Sequence, residues 1–219
     1  MSEAAVLAEL LRPSIGDERV LAAIAAIPRD RFVPEPARAR AYENVALPIA
    51  CGQTISQPLV VARMLELLEL RPSDRVLDIG TGSGYHAALL ALLAAEVWTI
   101  ERHHELSSHA QTTITELGID TVRFVIGDGF LGLPDRAPFD AINVAAASRR
   151  AVPPALEEQL APGGRLVAPV GATRQHLVRT RRAGDRFIRQ RLEPVRFVPL
   201  VRGESLRDPL GGSLREPPG

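Results

Sequence analysis

The stretch "VLDIGTGSGY", Val76–Tyr85, decides how this chain is read. It begins apolar, passes an acid at Asp78, turns through glycines 80, 82 and 84, and enters the helix-like "HAALLALLAA". A strand that turns through glycines into a helix lets the backbone approach a ligand closely. The spacing is G-x-G-x-G, which differs from the G-x-G-x-x-G of dinucleotide folds. Asp78 stands just before the turn, so a carboxylate is expected at the pocket mouth. There it would repel a pyrophosphate and attract a ligand carrying an ammonium and a sulfonium.

The neighbouring strands extend the pattern. "VWTIE" (97–101) ends in Glu101, where an acid takes ribose hydroxyls. "VRFVIGD" (122–128) runs into Gly127–Asp128–Gly129, and Asp128 is placed to accept from an adenine amino group. Any one of these acids can instead cap a helix or end a strand, but three at adjacent strand ends form a set. They favour S-adenosylmethionine over NAD. The expected cofactor contacts here are Asp78, Gly80, Thr81, Gly82, Gly84, Glu101, Asp128 and Gly129.

Farther out, "FDAINVAA" (139–146) and "GRLVAPVG" (164–171) are also short and apolar, and helical stretches at 84–95, 103–117 and 153–160 alternate with the strands. Alternation of this kind predicts an α/β fold with a doubly wound, mostly parallel sheet, and near-continuous apolar strands fit a sheet covered on both faces. Helical spacing over 2–12, 17–27 and 59–70 places helices before the sheet, with Asp17 as a cap. "PRDRFVPEP" (28–36) reads as extended. After residue 175 the pattern is strand-like, with a hairpin around Ala183–Asp185. One domain is expected over 1–202. Its parts are a helical and loop region (1–58), a cofactor-binding core (59–171) and C-terminal strands (172–202). Residues 203–219, rich in Gly and Pro, read as a mobile tail.

Composition narrows the function classes. The formal net charge is +0, so no whole-protein field draws nucleic acid or an anionic membrane. All 26 basic residues are Arg, which excludes Schiff-base and P-loop lysine mechanisms. One cysteine, Cys51, excludes an internal disulfide and a cysteine-built zinc site, and no His or Cys cluster suggests a metal. The run Ala87–Ala95 is too short to span a bilayer. Glu3 and Glu9, without a basic flank, argue against a signal peptide, so the expected location is the cytoplasm. His86 is expected near the cofactor at most, and His103 and His104 at a solvated helix start. The nine Arg against two acids between Arg174 and Arg202 read as a solvated strand face or an anionic-substrate surface.

"CGQTISQPLV" (51–60) sets two hydroxyls, Thr54 and Ser56, beside the Gln53 amide and ahead of Pro58. From the residues alone, the hydroxyls either cap the helix opening near Pro58 or face a ligand. "VAAAS" (144–148) either leaves room for a substrate backbone or packs a strand closely on a helix.

In order along the chain, "RFVP", "AYENVALPI", "GQTISQP", "VLDIGTGSGY", "IER", "GDG", "PFDAINV", "PPALEEQLAPGGRLVAPVG" and "VRFVPL" resemble the protein-L-isoaspartate O-methyltransferases, from about Arg29 to Leu200. The glycine motif marks only the broad Rossmann-like methyltransferase class; "GQTISQP" and "VRFVPL" are more specific. The resemblance implies methyl transfer from S-adenosylmethionine to the α-carboxyl of isoaspartyl residues in damaged proteins. The ester then closes to a succinimide, which hydrolyses partly to aspartate. It implies Ser56 as the active-site residue, with Gln53, Thr54 and Ile55 toward the cofactor or fixing the loop. Val198, Pro199 and Leu200 lie in a segment that resembles the family's late segment closing over the substrate, and Ala145 and Ala146 of "VAAAS" are expected beside the same substrate. One hydroxyl is enough because a carboxylate is already ionised at pH 7 and needs desolvation and alignment more than a base.

Three departures stand out. Ala50 and Cys51 replace residues that often include Gly. Asn44 replaces a frequent Asp. Arg149 and Arg150 lie in a link that is often shorter and less basic, which bears on substrate preference. The expected partners are isoaspartyl proteins and peptides, taken up by a monomer. The alternatives are a methyltransferase maturing one client's aspartate, a module that holds S-adenosylmethionine without turnover, and an NAD-dependent oxidoreductase. The last is disfavoured by the glycine spacing and by the lack of a Tyr-Lys or His-Asp pair.

Overall fold

A computed structural model of the chain describes residues 1–203; apart from Gly203, the tail expected over 203–219 lies outside the described residues. Helices α1 (Glu3–Leu11) and α2 (Glu18–Ala26) come first. Asp17 accepts from the Arg19 amide at 2.9 Å and caps α2 as expected. "PRDRFVPEP" is not extended. It folds into two 3-10 turns, Arg29–Phe32 and Glu35–Arg40, with Pro36 in a first turn where a missing N–H costs little.

A small antiparallel pair follows, β1 (Leu47–Pro48) with β2 (Thr54–Ile55), and then α3 (Pro58–Leu68). The main body runs β3 (Arg75–Ile79), α4 (Tyr85–Leu93), β4 (Glu96–Glu101), α5 (His104–Glu116), β5 (Val122–Ile126), β6 (Phe139–Val144), α6 (Pro154–Glu158) and β7 (Leu160–Val170). It ends in the hairpin β8 (Gln175–Ala183) and β9 (Arg186–Val195).

These seven strands form one sheet in the order β5-β4-β3-β6-β7-β8-β9. Pairing is parallel from β5 to β7 and antiparallel across β8 and β9. Strand β3 has β4 on one side and β6 on the other, so the winding direction reverses there. In an open α/β sheet this reversal opens a crevice at the carboxyl ends of the strands. Both faces are covered. Val76 packs into the apolar cluster of α2, α3 and α4, while Leu77 and Ile79 join Val152 and Leu156 on the opposite face. Strands buried on both sides must be apolar almost throughout, which explains their composition. Helix α4 lies under α2, and its "YHAALLALL" is buried nearly all round.

One boundary differs from the sequence reading. Helix α6 stops at Glu158 and β7 begins at Leu160, earlier than the expected Gly164. Leu160 pairs with Phe139, whose amide bonds the Gln159 carbonyl at 2.8 Å; the register then shifts before Ala141. Gly163, at φ 77°, takes up the slack.

Candidate active site

The carboxyl ends of β3, β4, β5 and β6 open on a cavity of ≈ 260 Å³. Among the expected cofactor residues, Gln53, Thr54, Ile55, Gly80, Thr81, Gly82, Glu101, Asp128 and Gly129 line it. Ser56, Ala145, Ala146, Val198, Pro199 and Leu200 line it as well. Asp78 and Gly84 do not.

The glycine turn is held by Glu101. One carboxylate oxygen accepts from the Gly82 amide at 3.0 Å; the other accepts from the Arg102 and His103 amides at 2.8 and 3.0 Å. The charge sits at the N-terminus of α5, where the helix dipole favours an anion. The consequence for ligand choice is direct. The Gly82 N–H, a donor of the kind that cradles a phosphate, is already taken by a carboxylate.

Asp78 corrects the sequence reading. Its carboxylate does not face the pocket mouth; it is fully buried beneath the turn. Strand register explains why. Asp78 pairs with Thr99 on β4 and with Asn143 on β6, and residues opposite one another share a face of the sheet. Thr99 Oγ1 donates to Asp78 at 2.9 Å, Asn143 Nδ2 donates at 2.7 Å, and Thr99 Oγ1 lies 2.6 Å from Thr81 Oγ1. Asp78 therefore supports the turn from below. Burial pushes its carboxyl up to about 6, with the nearby Glu101 charge adding to the rise and the two hydrogen bonds opposing it.

Gly84 is the second correction. It has φ 90° and starts α4, but a Cβ there would stand 2.8 Å from the Ala110 Cβ. Its lack of a side chain allows α4 and α5 to close together, away from the cavity.

Asp128 does line the cavity. Its Oδ1 accepts from the Phe130 amide and its Oδ2 from the Gly203 amide, each at 2.9 Å. The Arg202 guanidinium stacks over the Phe130 ring, 5.0 Å from its centroid. A carboxylate has about four lone-pair sites, so Asp128 keeps acceptor capacity for a ligand amino group.

The opposite wall comes from irregular segments. The Ile49 amide bonds the Gln53 carbonyl at 2.9 Å, so β1 and β2 hold "IACGQ" in a tight loop with Cys51 at φ 55°. The hydroxyls do not cap α3. Asn44 does, accepting from the Leu59 amide at 3.0 Å through Oδ1. Ser56 Oγ makes no hydrogen bond among the described residues and lies at the cavity wall. On the far side, Ala147 donates to the Val198 carbonyl and its own carbonyl accepts from the Leu200 amide, both at 2.8 Å. This bridge lays Val198–Leu200 beside Ala145 and Ala146.

Comparison with known proteins decides the family. A family model described as protein-L-isoaspartate(D-aspartate) O-methyltransferase matches residues 1–205. The chain belongs to this family. A protein-L-isoaspartate O-methyltransferase of Erwinia tasmaniensis is 51% identical over 199 residues, which is 91% of this chain and 95% of that protein. A Plasmodium falciparum structure of a protein-L-isoaspartate O-methyltransferase in complex with S-adenosyl-L-homocysteine superposes with a TM-score of 0.81. It shows 26% identity over 93% of this chain and 100% of its own. A further structure with the same enzyme name gives a TM-score of 0.82 at 28% identity, and this chain covers 92% of itself but 66% of that longer chain.

The cavity fits the adenosyl group carried by the Plasmodium member of the family. Ile100 and Ile126 offer apolar walls for a base, Glu101 offers acceptors for hydroxyls, and Asp128 an acceptor for an amino group. Sequence reasoning did not single out these isoleucines. Their signal was available, since each stands at or beside the last residue of an apolar strand. His86, expected near the cofactor, lines the cavity. Its Nε2 is buried without a hydrogen-bond partner among the described residues, and burial pushes the ring down to about 4, so the imidazole is neutral at pH 7. His103 also lines the cavity, and His104 is exposed on α5. Among the described residues, no group of three or more His, Cys, Asp or Glu could hold a metal, and no helix is long and apolar enough to cross a membrane.

Proposed function

We propose that this chain moves a methyl group from S-adenosylmethionine to the α-carboxyl of L-isoaspartyl residues in damaged proteins, acting as a cytoplasmic monomer. The observation that carries this reading is the Ser56 hydroxyl. It is unpartnered among the described residues, is not needed by α3, and lies in the same cavity as Glu101 and Asp128.

When bound, S-adenosylmethionine supplies an activated methyl group. Glu101 takes the ribose hydroxyls and Asp128 the adenine amino group, with Gln53, Thr54 and Ile55 closing the loop side. Gly80, Thr81, Gly82 and Gly129 supply close backbone approach. Ser56 donates one hydrogen bond to the substrate carboxylate and orients it. Ala145, Ala146, Val198, Pro199 and Leu200 give an apolar surface that strips water from that carboxylate. No general base is required, because a carboxylate is ionised at neutral pH.

Isoaspartate carries its free carboxylate one methylene closer to the chain than aspartate does. A small-residue pocket therefore discriminates by reach, since a misplacement of about 1 Å can cost roughly a hundredfold. Transfer of labelled methyl to paired peptides, one isoaspartyl and one aspartyl, tests the assignment. The expected result is strong preference for the isoaspartyl peptide. Equal rates would favour maturation of a client aspartate. A thermal-shift series should show stabilisation by S-adenosylmethionine and S-adenosylhomocysteine and none by NAD.

A further inference from the structure

Arg29 is fully buried and is one of the largest side chains to be so among the described residues. A buried guanidinium normally has a carboxylate beside it, because an unpaired charge in the interior is costly. Arg165 follows that rule: it holds the Leu68 and Glu69 carbonyls at the end of α3 and pairs with Asp74 at 2.6 Å. Arg29 pairs with no carboxylate among the described residues. Its Nη1 donates to the Ala41 carbonyl, and its Nη2 donates to the Val45 carbonyl at 3.2 Å and the Ser56 carbonyl at 3.0 Å. Nε has no partner. Desolvation lowers the guanidinium to about 10, so it remains charged at neutral pH.

These three carbonyls share one feature. Two belong to the start and one to the end of the segment, 41–56, that carries "CGQTIS". The last is the carbonyl of Ser56 itself. The fork also has a second contact: its carbon lies 5.8 Å from the centroid of the Tyr85 ring. Tyr85 follows the glycine turn directly and lines the cavity. One cation thus touches the backbone of the hydroxyl-bearing residue and the first helical residue after the cofactor turn. The adjacent Asp30 accepts from the Tyr42 hydroxyl, which ties the Arg29 turn to the start of the 41–56 segment a second time.

We infer that Arg29 is a positioning residue for methyl transfer: its planar fork fixes the backbone of Ser56 against the glycine turn, and so sets the hydroxyl's place relative to both bound partners. The inference rests on the function proposed above for Ser56. It explains why an arginine occupies a site where, among the described residues, no carboxylate pairs with it. A lysine ammonium is a compact point donor and lacks the wide planar fork with which arginine reaches three separate carbonyls.

The test uses Arg29→Lys and Arg29→Ala in the full chain. Four quantities are read: kcat with the isoaspartyl peptide, affinity for S-adenosylhomocysteine by calorimetry, melting temperature, and hydrogen exchange of residues 44–57. Arg29→Lys should lower kcat by about tenfold or more, as expected when positioning is lost. S-adenosylhomocysteine affinity should stay within about twofold. Exchange should speed up in 44–57 and not in β3 or α4. Millimolar guanidinium should restore part of the Arg29→Ala turnover, which general damage to the core would not allow. Full activity in Arg29→Lys overturns the inference, and so does a loss of kcat matched by an equal loss of S-adenosylhomocysteine binding. If the unaltered chain does not methylate the isoaspartyl peptide, the proposed function fails. The exchange data then still decide whether Arg29 holds the loop, with unchanged exchange in both variants counting against it.

Discussion

One wall of the cavity is made of strand ends, the other of irregular chain, and different forces hold the two. The regular wall is Ile79 to Gly82, Glu101, and Gly127 to Gly129. Parallel pairing places it, and three backbone donors fix the Glu101 carboxylate while leaving it acceptor capacity for a ligand. The irregular wall is Gln53 to Ser56 and Val198 to Leu200. Little ladder holds it, and it depends on single long-range polar ties from Arg29, Asn44 and Ala147. The first wall is rigid because its geometry is the geometry of the sheet. The second can be adjusted to a substrate without disturbing the sheet, at the cost of resting on a few residues.

That contrast can be broken at Ser56, where the largest effect is expected. Ser56→Ala should reduce turnover by roughly tenfold to a thousandfold, as for one hydrogen bond that orients the reacting group. S-adenosylhomocysteine affinity and melting temperature should hardly move. Steady-state kinetics beside calorimetry would show it, and a mutant with full turnover would remove Ser56 from the chemistry.

The regular wall hides two opposed titrations. The folded Asp78 carboxyl, raised from 3.8 to about 6, keeps a proton that the unfolded one has lost. Its contribution to stability is full below 3.8 and falls as pH rises through about 6. The folded His86 ring, lowered from 6.5 to about 4, releases a proton that the unfolded ring keeps. Its contribution is present above 6.5 and is lost as pH falls through about 4. Each amounts to something on the order of 3 kcal/mol, and in the unaltered chain they oppose each other across the same window. Denaturation at a series of pH values should therefore separate them. Asp78→Asn should make stability rise with pH from 4 to 6, and His86→Gln should make it fall. Parallel curves for both variants would mean that the two groups do not titrate as buried residues.

Glu101→Ala sharpens the contrast from the regular side. It should weaken S-adenosylhomocysteine binding by roughly 1–3 kcal/mol and leave the turnover of saturated enzyme much less affected. An unchanged dissociation constant would take Glu101 out of the site. The smallest effect belongs to the exposed Arg149 and Arg150. Replacing both with Ser should erase a modest preference for acidic flanking residues, worth about 0.2–1 kcal/mol and weakened by salt. Competition between acidic and neutral isoaspartyl peptides at two salt concentrations measures it.

The regular wall was largely legible in the sequence because its signals are local. A glycine turn after an apolar strand, and acids at the ends of the next two strands, can be read without knowing what lies opposite. Asp78 was misread because which way a strand residue faces is settled by register with Thr99 and Asn143, which a single strand does not reveal. Gly84 was misread for a similar reason, since its close neighbour Ala110 lies on another helix. The irregular wall was legible only through resemblance. Asn44 caps α3 from fifteen residues away, outside the span where capping rules look. Arg29 stands in a Pro-flanked, charged stretch that gives no sign of burial.

The bridge between Ala147 and Val198–Leu200 also bears on timing during synthesis. A chain that has emerged as far as Val195 contains the glycine turn, Glu101, Asp128 and Ser56, and its sheet can be complete. Its cavity still lacks the side that Val198, Pro199 and Leu200 provide. Folding of the cofactor half can run ahead while translation continues, as domains and their parts do. If Val198–Leu200 form the substrate side as proposed, competence is a late event, reached when that segment pairs with Ala147.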